Sequence, residues 1–106
     1  MPNPTLLATA TVSAANTATR ITAGESSPTT RIAAGSCVIQ AKSDNAAVIY
    51  VGDSTVQSST AKGIELAAGS TLTMSSEPSP NGLNLADIYF ASTSSTAKVN
   101  VLYLVL

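Results

Sequence analysis

Short segments of alternating or continuous apolar residues recur along the whole chain, and residues that favour turns stand between most of them. The segments are Thr5–Ser13, Thr17–Ala23, Cys37–Lys42, Ala46–Val51, Gly63–Ala67, Thr71–Ser75, Asp87–Ala91 and Lys98–Leu106. Gly24, Pro28, Gly35, Asp44-Asn45, Gly52-Asp53, Gly69 and the stretch Pro78–Gly82 punctuate them. Thr, Ser and Val are frequent, whereas the strong helix formers Glu, Lys and Arg are scarce. Short strands at regular spacing predict an all-β domain, an antiparallel β-sandwich of seven or eight strands.

The period-2 pattern assigns faces. Cys37, Ile39 and Ala41 share one side of their strand, with Gln40 and Lys42 on the other. Leu72 and Met74 oppose Thr71, Thr73 and Ser75, and Ile88 and Phe90 form a further inward pair. The last strand is different. Val99, Val101, Tyr103 and Val105 line one face, and Asn100, Leu102, Leu104 and Leu106 line the other. A strand that is apolar on both faces is expected to be covered on both, yet the outer face of a two-layer sandwich ordinarily meets water. The N-terminal segment, a loop or another subunit must then cover the second face. Residues 1–16 read as an extended arm or first strand, because Pro2 and Pro4 push the residues before them toward extended backbone, and residues 17–106 form the sandwich domain. Leu6 and Leu7 of the arm, with Leu102, Leu104 and Leu106, are the candidate interface residues.

Two similar stretches, Arg31–Gln40 and Glu65–Met74, each place Ala-Ala-Gly-Ser before an alternating run. Both predict a tight turn between strands, at Gly35 and at Gly69.

Charge excludes several functions. Only 10% of residues are charged, against about 25% in an ordinary domain, so much of the surface must be Ser, Thr and Ala. Such a surface suits an oligomer. No basic run offers the phosphate-neutralising footprint of a nucleic-acid binder. No apolar run reaches the length of a membrane-spanning helix. The first 19 residues contain neither Lys nor Arg, so the basic region of a signal peptide is missing and synthesis in the cytoplasm is expected. Cys37 has no second cysteine to pair with and reads as a small buried hydrophobe.

One pattern suggests catalysis. Ser-Ser-Thr-Ala-Lys occurs at Ser58–Lys62 and again at Ser94–Lys98, and Ser43–Asn45 spells Ser-Asp-Asn. Ser-x-x-Lys with Ser-Asp-Asn is part of the signature of serine β-lactamases and penicillin-binding proteins. That chemistry needs Ser and Lys one helical turn apart. On a strand, positions i and i+3 face opposite ways, so the amine would not meet the hydroxyl. The Lys-Thr-Gly partner motif is also absent. Both copies therefore read as polar turns, each ending at a lysine that opens a strand. The chain has no histidine, which removes Ser-His and Cys-His dyads and the commonest metal ligand. Glu25, Asp44, Asp53, Glu65, Glu77 and Asp87 are scattered singly. No enzyme activity, cofactor or metal is expected.

The stretch VIYVGDSTVQSSTAKGIELAAGSTLTM at Val48–Met74, followed by LADIYFAS and AKVNVLYLVL, resembles small β proteins of tailed-bacteriophage virions. The residues that carry the likeness are Tyr50, Val51, Gly52, Asp53, Gly63, Ile64, Leu66, Gly69 and Ser70. The resemblance implies a jelly-roll-like sandwich and a structural role in the virion. Among such proteins the capsid decoration, or cement, type is favoured: a homotrimer bound outside the head, whose partners are the major capsid protein and itself. The alternative is a tail, fibre or spike module that binds a receptor or carbohydrate. That role calls for exposed aromatics, and only Tyr50, Tyr89, Tyr103 and Phe90 are present.

Overall fold

In the computed structural model, which describes residues 4–75 and 81–105, the alternating segments become strands. They are β1 (Pro4–Leu6), β2 (Ala10–Thr11), β3 (Thr19–Arg20), β4 (Ala33–Ala41), β5 (Ile49–Gly52), β6 (Ile64–Leu66), β7 (Thr71–Ser75), β8 (Leu83–Asn84), β9 (Tyr89–Ser92) and β10 (Lys98–Val105). A single 3-10 turn, Leu85–Asp87, is the only helical element among the described residues. Asn84 caps it, its side-chain oxygen accepting from the N–H groups of Ala86 and Ile32.

All pairings are antiparallel. One sheet runs β1-β10-β4-β7, with β2 also on β10 and β8 also on β4; the other runs β3-β9-β5-β6. Successive strands change sheet at every connection from β2 to β5, stay in one sheet at β5 to β6, and cross again to β7. This is the double Greek key of a jelly roll. Among the described residues ten strands form where seven or eight were expected. The difference has two sources. The first predicted strand is split into β1 and β2, which share β10 as partner, and β8 is a two-residue pairing with β4 between the predicted segments Thr71–Ser75 and Asp87–Ala91.

The N-terminal arm is therefore an edge strand of the larger sheet. Thr5 lies opposite Tyr103 and Leu6 opposite Leu102. Leu7 then turns inward, its N–H bonded to the carbonyl of Val101 at 3.0 Å and its side chain buried. The turn expected at Gly35 is also corrected. Gly35 lies inside β4, where Leu104 pairs with Ser36 but Val105 pairs with Ala34. The extra residue is a β-bulge, a position glycine tolerates well. The second Ala-Ala-Gly-Ser stretch is a turn as expected: Ser70 N–H bonds to Ala67 carbonyl at 2.9 Å and Gly69 has φ +83°.

The core lies between the sheets. Ile39, Ile49, Phe90, Val99 and Val101 are among its fully buried members, and Cys37 is buried with them. Its polar members are satisfied. Ser92 Oγ donates to Val48 carbonyl at 2.9 Å and accepts from Ser94 N–H at 3.2 Å. Thr22 Oγ1 donates to the carbonyl of Pro28. No buried side-chain nitrogen or oxygen among the described residues lacks a partner.

Candidate interaction surface

The outer face of the larger sheet is built by the residues whose neighbours fill the core. On β10, Val99 and Val101 point inward, so Asn100, Leu102 and Leu104 point outward. The register then aligns rows across four strands. Leu6, Leu102, Val38 and Thr73 form one row, and Pro4, Leu104, Ser36 and Ser75 form the next. Asn100, Gln40 and Thr71 form a third row, with Thr9 Oγ1 donating to Asn100 Oδ1 at 2.7 Å. Leu6, Val38, Gln40, Thr71, Asn100 and Leu102 enclose a shallow depression of about 410 Å³.

None of the residues in these rows is charged. Leu6 is 68% exposed, Leu102 44% and Leu104 38%. Depletion of charge with exposed aliphatic side chains is the composition of an interface centre. Lys42 and Lys98 lie on the same face at its far end, beyond Gln40 and Asn100.

Of the sequence-predicted interface residues, the fold brings Leu6, Leu102 and Leu104 onto this one face. Leu7 is not on it, since burial at 4% exposure removes it from any contact surface. Leu106 lies outside the described residues. Val38 belongs to the patch although the sequence reading passed over it. The signal that finds it is parity: it alternates with Cys37 and Ile39.

The serine motifs fall elsewhere. Ser58–Ala61 form a turn closed by two backbone bonds between Gln57 and Lys62, and Ala61 takes φ +55°. Ser59 is exposed, and Lys62 Nζ donates to Thr55 Oγ1 at 2.9 Å. Ser58 instead donates to Asn16 Oδ1 at 2.8 Å. In the second copy Ser94 Oγ accepts from Thr96 N–H at 3.2 Å, and Lys98 opens β10. Asn45, from Ser-Asp-Asn, holds that strand's start: its side chain accepts from Lys98 N–H at 3.0 Å and donates to Lys98 carbonyl at 2.9 Å. Apart from the exposed Ser59, the motif residues named here serve as hydrogen-bond partners or open a strand, and Ser58 and Asn45 bond to residues distant in sequence. Burial raises the Cys37 thiol above its usual range, against a smaller opposing contact with the Met74 backbone. Among the described residues no three His, Cys, Asp or Glu side chains gather.

The outer face of the smaller sheet has another character. Tyr50 and Tyr89 are half-buried there, and the Arg20 guanidinium stands 5.1 Å from the Tyr89 ring centroid. Burial raises the Tyr50 hydroxyl above its ordinary value, and the hydrogen bond and charge of Glu65 add to this. No protein-family model, curated protein or solved structure matches the chain.

Proposed function

We propose that this protein is a structural component of a bacteriophage virion, a decoration protein that binds the outside of the head through the uncharged rows on the outer face of its larger sheet. The observation that carries the reading is that face: exposed Leu6, Leu102 and Leu104 in register, without a charge among the rows. The likeness of Val48–Met74 to small virion β proteins supplies the setting. The role requires no chemistry from the chain. It requires a rigid plate, and each copy contributes a modest apolar contact that a symmetric lattice repeats. Copies also contact one another, as a homo-oligomer. Synthesis takes place in the host cytoplasm, with the major capsid protein as partner.

The test is binding to particles. Heads of the encoding phage that lack this protein are incubated with the purified chain, pelleted and imaged by electron cryomicroscopy. The expected result is saturable binding with added density on the outer capsid surface. Density only on the tail, or no binding, would refute the head assignment.

A second reading has one observation in its favour. Tyr50 and Tyr89 share an outer face, where a tail or spike module could stack a sugar. Glycan-array binding that is lost in Tyr89→Ala would favour that reading.

A further inference from the structure

The five cations of the chain are not all partnered. Arg20 donates to the Ala86 carbonyl at 3.1 Å and stands over the Tyr89 ring. Arg31 donates to the Asn81 carbonyl at 2.6 Å, and Lys62 to Thr55 Oγ1 at 2.9 Å. Lys42 and Lys98 remain, and they stand opposite one another. Val99 pairs with Ala41, and on the next rung Lys42 N–H donates to the Lys98 carbonyl at 3.2 Å. Like charges directly across neighbouring strands are destabilising. Among the described residues no carboxylate forms an ion pair with either amine. Asp44 sits in the turn that Asn45 N–H closes on the Lys42 carbonyl at 3.1 Å, and it pairs with neither.

The pair has a fixed place on the outer face of the larger sheet. Thr11, Lys98 and Lys42 form the row that follows Asn100, Gln40 and Thr71. Rows two residues apart along a strand are separated by about 7 Å. From Leu102 through Asn100 to Lys98 the face therefore passes from aliphatic to carboxamide to cationic over about 14 Å. No acidic residue stands in any of these rows.

We propose that this face takes an acidic segment of the capsid's outer surface. The segment seats an aliphatic side chain in the depression between Leu6, Val38 and Leu102, and about 14 Å along the strands it sets at least one carboxylate between Lys42 and Lys98. The inference rests on the virion reading and adds the chemistry of the partner. Its ground is charge complementarity. The fold holds two ammonium groups together without a counter-charge, and a carboxylate between them relieves the repulsion and binds both. Opposite charges placed beside an apolar contact also speed encounter and fix its register. A second copy of this chain cannot supply the carboxylate through the same face. Contact about a two-fold axis sets a face against itself, and these rows hold no acid.

Heads of the encoding phage that lack this protein are the probe, titrated with the purified full chain at about 50 mM and about 500 mM salt. Binding of the parent is expected to weaken at the higher salt. Lys42→Gln combined with Lys98→Gln should weaken binding at low salt at least about tenfold and flatten the salt dependence. Its unfolding midpoint in urea should be no lower than the parent's, because the repulsion is gone. Lys62→Gln, in the β5–β6 connection, should bind as the parent does. A parent that binds without salt dependence, or a double variant that binds like it, overturns the inference and leaves the virion reading standing. Equal weakening by Lys62→Gln assigns the effect to overall charge and overturns it too, as does a free-chain oligomer that the double variant disperses. Heads that take up no parent chain refute both readings. Should the double variant fail to fold, Lys42→Gln alone carries the same comparison.

Discussion

Asp53 shows how a residue that looks catalytic in a list of acids serves a turn instead. Its carboxylate accepts from the Thr55 hydroxyl and, at 2.9 Å, from the Thr55 N–H. The Thr55 hydroxyl foremost, then the Thr55 N–H, with a smaller contribution from the Lys62 charge, hold the carboxyl below its ordinary value. A depressed folded-state pKa means stability that is present above the unfolded carboxyl's pKa and lost as pH falls through the folded one. Thr55→Val removes the leading cause, so the Asp53 titration followed by carbon-13 NMR should move up toward the ordinary carboxylate range. An unmoved midpoint would show that the hydroxyl contributes nothing. Single residues of this kind were legible to a degree. Asp53 in a turn and Cys37 in the core follow from local sequence. Leu7 was equally legible: alternation along Pro4-Thr5-Leu6-Leu7 puts it on the side opposite Leu6. Naming both leucines as interface residues passed over that parity, which breaks only after Leu7, before the buried Ala10.

At the scale of elements, turn chemistry accounts for both the successes and the misses. Every predicted segment overlaps an observed strand, because alternation and turn residues agree there. The two Ala-Ala-Gly-Ser stretches look alike in sequence, yet one is a turn and the other a bulge within β4. Glycine permits both, and the choice is made by pairing with β10, which local sequence does not encode. Gly63 is a sharper case. It enters β6 at φ +142°, and an added Cβ would lie 2.7 Å from Val56 Cγ2 and 3.0 Å from Tyr50 Cβ. Gly63→Ala combines an unfavourable backbone region with a collision, and a cost on the order of 1–3 kcal/mol is expected. In urea the midpoint should fall with the slope unchanged. An unaltered midpoint would mean that the β5–β6 connection relaxes freely.

At the scale of the molecule, the sheet order is what local pattern could least supply. Greek-key partners such as β4 and β10 lie far apart in sequence, and alternation says which way a side chain points but not what it meets. Alternation did reveal a last strand apolar on both faces, and the fold answers half of that puzzle: Val99 and Val101 fill the core while Leu102 and Leu104 remain outside. Adjacent residues therefore offer a paired test. Val101→Asp would bury a carboxylate in the core and should cost several kcal/mol or prevent folding. Leu102→Asp faces water in the isolated subunit and should cost no more than about 1 kcal/mol, the range of strand preference. If the outer face is the capsid contact, the folded Leu102→Asp protein should nevertheless fail to bind heads. Burying a leucine is worth roughly 1.5–3 kcal/mol per site, and an unpaired carboxylate in its place opposes binding further. Urea unfolding and cosedimentation with particles read the two effects separately. A Leu102→Asp protein that folds and binds like the parent would show that these leucines are merely exposed and that the contact lies on another face.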